Sequence, residues 1–134
     1  MARDIKKIDA KGRFFIPSKF KEKFGGDLVV TVSLDRGYLC VYTAETFEKI
    51  EEQFAEMNSS EPEFRVMERW ILGEALEVKV DSQNRISLTS ELWERIGAHP
   101  GDEICVFSDE EKLDICTKSF YDAEDHNLGA IEGL

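Results

Sequence analysis

The stretch DAKGRFFIPSKF, at residues 9–20, decides the fold because its layout returns as DSQNRISLTSEL at residues 81–92. Asp9 corresponds to Asp81 and Arg13 to Arg85, each pair lying 72 positions apart. Similarity at a fixed spacing is typical of an internal duplication. The sequence therefore predicts a chain of two related halves.

Each copy predicts the same local structure. An alternating segment before the copy predicts a half-buried strand, and the copy itself predicts a turn, a second short strand and a short helix. In the first half this helix, PSKFKEKF at residues 17–24, has a proline in its first turn and ends at Gly25 and Gly26. A hairpin is then predicted in each half, formed by LVVTVSL with YLCVY and by EICVFS with KLDIC.

Two helices are predicted between the halves. The first, at residues 43–57, has apolar residues at helical spacing, which indicates core packing. These residues are Phe47, Ile50, Phe54 and Met57. The second, at residues 60–73, begins with Ser60 and Glu63 in the pattern of a capping box.

This order of elements predicts an α+β protein, mainly β, with four segments. They are a first half at 1–45, two connecting helices at 46–74, a second half at 75–120 and an acidic C-terminal tail at 121–134. The tail is weakly patterned, so we expect it to be frayed.

Composition limits the class of protein. A chain of 134 residues, 42% apolar and 34% charged, is long enough for one compact domain or for two small halves that share a core. No apolar run approaches the roughly 20 residues that a membrane span needs, and the first residues lack the apolar segment of a signal peptide. We therefore expect a soluble cytoplasmic protein.

The charge of the chain is unevenly distributed. The net charge is −11, yet residues 1–26 carry eight Lys and Arg against three Asp and Glu, a local charge of +5. The remaining residues therefore carry −16. Positive charge concentrated within one structural unit is typical of a surface that binds a polyanion.

Catalytic and metal-binding patterns are not predicted. Cys40, Cys105 and Cys116 lie in strand-like runs without a C-x-x-C pair, so we expect buried, reduced thiols. Neither His99 nor His126 lies near them in sequence. Because no nucleophile pattern or phosphate-cradling glycine loop is present, we expect no enzyme, no cofactor, no metal and no small-molecule substrate.

Three segments, IDAKGRFFIPSKFKEKF, ERWILGEALEV and VDSQNRISLTSELWERI, together resemble the MraZ family of regulators of the division and cell-wall gene cluster. The resemblance spans roughly residues 1–120. It implies tandem SpoVT/AbrB-like DNA-binding halves that form a β-barrel-like core with flanking helices. It also implies a ring-like homo-oligomer that binds double-stranded DNA at direct repeats upstream of its own gene cluster, and hence an association with the nucleoid.

The family's DNA-contacting loops fall on residues 11–13 and 83–85 of this sequence. The predicted DNA-binding residues are Lys11, Gly12, Arg13, Arg3, Lys7, Asn84 and Arg85. Gly12 permits the positive φ of a tight turn, and Asn84 tolerates it. An arginine can hold phosphate or the edge of guanine through two hydrogen bonds, whereas a lysine acts as a point charge on phosphate.

The arginines have an alternative role. Each can pair with the aspartate four positions earlier, Asp9 or Asp81, and so hold its turn. The aspartates themselves are predicted to hold nearby backbone N–H groups.

The two copies differ in charge. Residues 9–25 carry +3 and residues 81–97 carry −1, with Gln83 standing where the first copy has Lys11, and Thr89 where it has Pro17. The first copy is therefore predicted to supply most of the attraction to DNA.

Four aromatic residues are assigned to the core or to a subunit interface, because aromatic residues at strand and helix spacing lie there more often than against bases. They are Phe14, Phe15, Trp70 and Trp93. The face of Trp70 and Ile71 is predicted to be buried between subunits.

The main alternative to a regulator is an AbrB-like antitoxin or protein-interaction module, whose acidic surface would bind a basic partner. The duplication disfavours it, because such antitoxins are usually single-copy and dimerise. A toxin-like neighbouring gene would favour the antitoxin, whereas neighbouring cell-wall genes would favour the regulator.

Overall fold

Strands from both predicted halves are interleaved in the fold. The computed structural model describes residues 1–20, 27–57, 59–124 and 131–133. The strands are β1 (Ala2–Lys7), β2 (Arg13–Phe15), β3 (Asp27–Val32), β4 (Leu39–Thr43), β5 (Leu76–Lys79), β6 (Arg85–Ser87), β7 (Glu103–Ser108) and β8 (Lys112–Thr117). The helices are α1 (Ala44–Glu56), α2 (Pro62–Ile71), α3 (Ser90–Arg95) and α4 (Lys118–Ala123).

The predicted first-half helix is described only in part. Residues 18–20 are helical, in agreement with the prediction. The rest of that helix, with Gly25 and Gly26, lies outside the described residues. Most of the tail after Glu124 also lies outside them.

Six strands form one antiparallel sheet in the order β1-β7-β8-β4-β3-β5. Both predicted hairpins form, β3 with β4 and β7 with β8. β1, from the first half, pairs with β7 of the second half, whereas β5, from the second half, pairs with β3 of the first. The two predicted halves therefore share one sheet, and the first strand of each pairs with a strand of the other.

The sheet is open, so the expectation of a barrel-like core is wrong. β1 and β5 are its edges, and in the part of the chain that the structure describes each has a single neighbouring strand in this sheet. β2 and β6, each three residues long, pair with each other instead of joining the two edges. The fold is a mixed α and β structure, mainly sheet, with an open six-stranded sheet and a separate two-stranded ribbon, β2–β6.

The hydrophobic core decides which side chains of the ribbon face solvent. Most residues of the central strands are buried, and Val30, Val41 and Val106 are completely so. Phe14 and Ile86, which are partners across the ribbon, belong to the same hydrophobic cluster and are each 1% exposed. Because successive strand residues point to opposite faces, burial of this pair turns the neighbouring ribbon residues outward.

Three helices begin at a threonine cap. The side chains of Thr43, Thr89 and Thr117 each accept a hydrogen bond from the backbone N–H three residues later, at the starts of α1, α3 and α4. Thr89 thus starts the second-half helix at the position where the first copy has Pro17, and either residue suits the start of a helix.

The connecting helices differ in two details from their predictions. α2 begins at Pro62, with Glu61 at the N-cap and, among the described residues, no side-chain cap, so the predicted capping box is wrong. Proline favours the first helical position because its φ is fixed and it lacks an N–H, which starts the helix after Glu61. Phe47 and Phe54 are buried as predicted, but Met57 lies beyond the end of α1 and is 46% exposed. Neither connecting helix, nor any other helix of the described residues, is long and apolar enough to cross a membrane.

Candidate nucleic-acid interface

A tight turn at residues 9–13 precedes β2. Asp9 Oδ1 accepts hydrogen bonds from the backbone N–H groups of Lys11 and Arg13, both at 2.9 Å. Gly12 has a φ of 77°, as predicted for this position. The prediction that Asp9 is a turn-forming residue is confirmed.

The turn before β6, at residues 81–85, repeats this geometry. Asp81 Oδ1 accepts hydrogen bonds from the backbone N–H groups of Gln83 and Arg85, at 2.9 and 2.8 Å. Asn84 has a φ of 68° and is the one non-glycine residue with positive φ in the described chain. Asparagine is among the few side chains that tolerate this conformation.

Each arginine is paired with the aspartate of its own turn. Arg13 Nε donates to Asp9 Oδ2 at 2.7 Å, and Arg85 Nε donates to Asp81 Oδ2 at 2.9 Å. The alternative role predicted for the arginines, pairing with the aspartate four positions earlier, is therefore present in both turns.

The same contacts hold both aspartates in the charged form. The backbone N–H of Arg13, and then its guanidinium, lower the pKa of Asp9 from the ordinary value of 3.8, and Arg85 lowers the pKa of Asp81 in the same way. A pKa that is lower in the folded than in the unfolded chain contributes stability above the unfolded value. This contribution to stability begins to decrease as the pH falls below about 3.8, the unfolded value. It is lost once the pH is below the lowered pKa of the folded chain.

Pairing with aspartate orients each arginine and leaves the other N–H donors of its guanidinium outside this pair. A guanidinium carries five N–H donors, and the bond to the aspartate uses the one on Nε, closest to the chain. The donors on the terminal nitrogens lie at the far end of the side chain, where a planar fork can grip a phosphate or a base edge. Asp9 and Asp81 therefore act as positioning residues for Arg13 and Arg85.

Each turn also forms hydrogen bonds with residues of the other copy. The Gly12 carbonyl accepts from Trp93 Nε1 at 3.0 Å and from the Leu88 N–H at 3.1 Å. At the other end of the ribbon, Asn84 Nδ2 donates to the Ile16 carbonyl at 3.1 Å. Each turn is thus anchored by residues about 70–80 positions away in the sequence.

The outward side of the ribbon presents a compact set of side chains. Arg13 lies opposite Ser87, and Phe15 lies opposite Arg85. Lys11 is exposed at the tip of the first turn. We call these five residues the ribbon face.

Arg3 and Lys7 lie on β1 rather than on the ribbon face. The Arg3 guanidinium sits over the Tyr121 ring, 5.4 Å from its centroid, and Lys7 is the cross-strand partner of Glu103. The two cations are four strand residues apart, a separation of about 13 Å. Of the predicted site residues, the ribbon and its turns bring together Lys11, Gly12, Arg13, Asn84 and Arg85.

The fold places charged residues of one copy close to residues of the other copy. Lys11 of the first turn lines a cavity of about 250 Å³ together with Glu94 of α3, from the second half. The second turn is bonded to Ile16, which leads into residues 18–20, where Lys19 is exposed. The charge around each turn therefore differs from the charge counted along its own copy.

The aromatic residues divide into two groups. Phe14 and Trp93 are each 1% exposed, with ring centroids 5.7 Å apart, so their assignment to the core is confirmed. Phe15 is 50% exposed on the ribbon face and lies outside the core of the chain. The correspondence of Phe15 with Ser87, 72 positions later, was the sequence signal for an outward position.

The face of Trp70 and Ile71 is only partly available to a second subunit. Ile71 is 7% exposed and belongs to the core of its own chain, whereas Trp70 is 39% exposed. Arg95 lies over the Trp70 ring, 5.2 Å from its centroid.

The three cysteines are buried, as predicted. Burial raises the pKa of Cys40 to about 11 and that of Cys116 to about 12, so both thiols are protonated near neutral pH. Within the described ranges, no group of three or more His, Cys, Asp or Glu side chains is placed to hold a metal ion.

The fold and the ribbon define a class of protein in which two strand–turn–strand segments pair and present oriented arginines outward from a mainly β structure. The chain belongs to the MraZ family. The family model described as "MraZ protein, putative antitoxin-like" matches residues 4–70.

Curated relatives named "Transcriptional regulator MraZ" support this assignment. The one from Hydrogenovibrio crunogenus is 31% identical over 120 residues, covering 87% of this chain and 78% of the relative. The one from Nitrosomonas europaea is 31% identical over 121 residues, covering 87% and 80%. The one from Proteus mirabilis is 36% identical over 94 residues, covering 67% and 62%, so the alignment spans less than two thirds of that protein.

A solved structure is also similar, but weakly. The solution structure of PHS018 from Pyrococcus horikoshii aligns over 87% of each chain with 12% identity and a TM-score of 0.36. This similarity is too low to support an argument about the fold.

Proposed function

We propose that this chain is a transcriptional regulator that binds duplex DNA through the ribbon face. The observation that carries the proposal is the pair of partly buried arginines of the ribbon face, each oriented by its own aspartate on a ribbon anchored to the core. The name of the relatives, transcriptional regulator, supports this function.

The dimensions of the ribbon suit the major groove of B-DNA. Neighbouring strands lie about 4.8 Å apart, and the groove, about 12 Å wide, admits a two-stranded ribbon. Arg13 and Arg85 are two residues apart along the ribbon, a distance of about 7 Å, which is the rise of about two base pairs. Both guanidinium groups can therefore address base edges within one stretch of groove.

The other predicted residues have supporting roles in this proposal. Lys11, at the tip of the first turn, neutralises a phosphate, while Gly12 and Asn84 provide the positive φ that brings each turn close to the backbone of DNA. Arg3 and Lys7, on β1, add positive potential beside the ribbon without reaching the bases.

The finer features follow from the family resemblance. We propose two duplicated halves, with the boundaries given above, that bind direct repeats upstream of the chain's own division and cell-wall gene cluster, at the nucleoid. The matching hydrogen bonds of the two turns support the duplication. Repeated sites suit a ring-like homo-oligomer, because several weak contacts made together multiply the affinity.

The proposed ring predicts an assembly larger than a dimer. The half-exposed Trp70 and the exposed Val66, one helical turn apart on α2, offer an apolar surface for such contacts. Light scattering at micromolar concentration measures the mass of the assembly. A monomeric mass, with or without DNA, would contradict the proposed ring-like homo-oligomer.

The proposed function predicts how salt affects binding. Fluorescence anisotropy should show that the chain binds a duplex of its own upstream DNA more tightly than a scrambled duplex, with an affinity that falls as salt rises. Lys11→Ala should flatten the log–log salt slope by about 0.9 for each turn that engages a phosphate. The matched variant Gln83→Ala, at the corresponding place in the second turn, removes no charge and should leave the slope unchanged.

Two outcomes would count against this account. If Gln83→Ala changed the slope as much as Lys11→Ala, the first turn would not hold the phosphate. If the chain bound both duplexes equally weakly, the regulator would be excluded in favour of the antitoxin or protein-interaction alternative.

A further inference from the structure

Phe15 is the large apolar side chain of the ribbon face. It is 50% exposed, although the preceding residue, Phe14, is almost completely buried. Its neighbours on this face are polar or charged: Arg85 lies directly across the ribbon, and Arg13 two residues earlier in the same strand.

The fold does not require an aromatic ring at this place. Ser87 occupies the corresponding position of the second copy, in a strand of equal length with the same alternation of burial. A small polar residue therefore satisfies this ribbon geometry. The exposed surface of Phe15 calls for an explanation outside the packing of the described residues.

The position of Phe15 beside Arg85 indicates what the ring contacts. The Arg85 guanidinium carbon lies 5.8 Å from the centroid of the Phe15 ring, a cation–π distance that holds the two groups side by side. In the major groove, the C5-methyl group of thymine is the apolar feature of the base edges, and phenylalanine is one of the side chains that contact it. If Arg85 contacts a guanine, the Phe15 side chain would therefore lie against the neighbouring base.

We propose that Phe15 is a specificity-determining residue that contacts the methyl group of a thymine next to the base pair held by Arg85. The inference rests on the proposed function, and it names one component of the preferred DNA sequence. Ser87, at the other end of the ribbon face, is a small polar residue and lacks the apolar surface for the same contact. The two ends of the ribbon therefore prefer different bases.

A double-substitution cycle between protein and DNA tests this contact. The DNA is the chain's own upstream duplex, either with thymine or with every thymine replaced by deoxyuridine, which lacks only the methyl group. The wild-type chain should bind the deoxyuridine duplex about fourfold more weakly for each contacted methyl group. Phe15→Ser, which copies Ser87, should bind both duplexes with equal affinity. Phe15→Leu, which keeps an apolar side chain, should retain the preference for thymine. So should the matched control Leu34→Ser, which removes an exposed apolar side chain outside the ribbon face.

Each other result overturns the inference. If Phe15→Ser lost as much affinity on removal of the methyl groups as the wild type, the ring would not contact them. If light scattering showed that Phe15→Ser dissociates the homo-oligomer, the Phe15 side chain would lie in a subunit interface. Specific binding with no difference between the two wild-type titrations would remove this inference alone, whereas absence of specific binding would remove the proposed function.

Discussion

Arg13→Ala is expected to weaken binding to the upstream duplex by about 1–3 kcal/mol for each engaged turn, roughly 5- to 150-fold in Kd. The reason is that Asp9 fixes the guanidinium through Nε, so its outer donors meet the base edge without further ordering. Arg85→Ala should have an effect of the same order, and the double variant should lose sequence preference. Anisotropy titrations at one fixed salt concentration measure all three.

The matched control is Arg36→Ala. Arg36 is exposed in the turn between β3 and β4, and its removal changes the net charge of the chain by the same amount. Charges separated from the DNA by more than about 10 Å are largely screened at 0.1 M salt, so this variant should bind with nearly the wild-type affinity. Wild-type affinity for Arg13→Ala would show that Arg13 only holds its turn. Equal losses for Arg13→Ala and Arg36→Ala would show that Arg13 contributes only its charge.

Gly12→Ala is expected to destabilise the fold by about 2–5 kcal/mol. An alanine at a φ of 77° costs about 1–2 kcal/mol, and its Cβ would lie 2.7 Å from the backbone oxygen of Leu88. The turn must move to relieve this contact, which pulls the Gly12 carbonyl from Trp93 Nε1. A buried donor left without its acceptor costs about 1–3 kcal/mol more.

Gly97→Ala separates these two causes. Gly97 has a similar φ of 69°, but a Cβ placed there meets no described atom within 4 Å. This variant should cost only about 1–2 kcal/mol, the conformational part. Denaturant unfolding of both variants gives the comparison, and equal costs would mean that the close approach of Gly12 to the second half contributes nothing to stability.

Local features of the site could be predicted from the sequence. Asp9 and Asp81 form their turns through hydrogen bonds to groups within four residues, so a short pattern contains the necessary information. The positive φ at Gly12 and Asn84 follows from the same local requirement. The two hairpins are also local, because each is formed by consecutive strands.

Contacts between distant parts of the chain could not be predicted in this way. The pairing of β1 with β7 joins residues about 100 positions apart, and nothing in the periodicity of either strand specifies its partner. The ribbon likewise joins Arg13 to Ser87, 74 positions later. For this reason the sequence does not predict the open sheet. It also does not show that Lys11 of the first copy and Glu94 of the second line one cavity.

Hydrogen exchange of the whole chain, with and without its upstream duplex, tests most directly the claim that the ribbon face binds DNA. The account predicts slower exchange in peptides covering residues 10–16 and 82–88, and little change in the β3–β4 turn at residues 33–38. A scrambled duplex at the same salt concentration should give much weaker protection. Protection of residues 33–38, with none at either turn of the ribbon, would contradict the account.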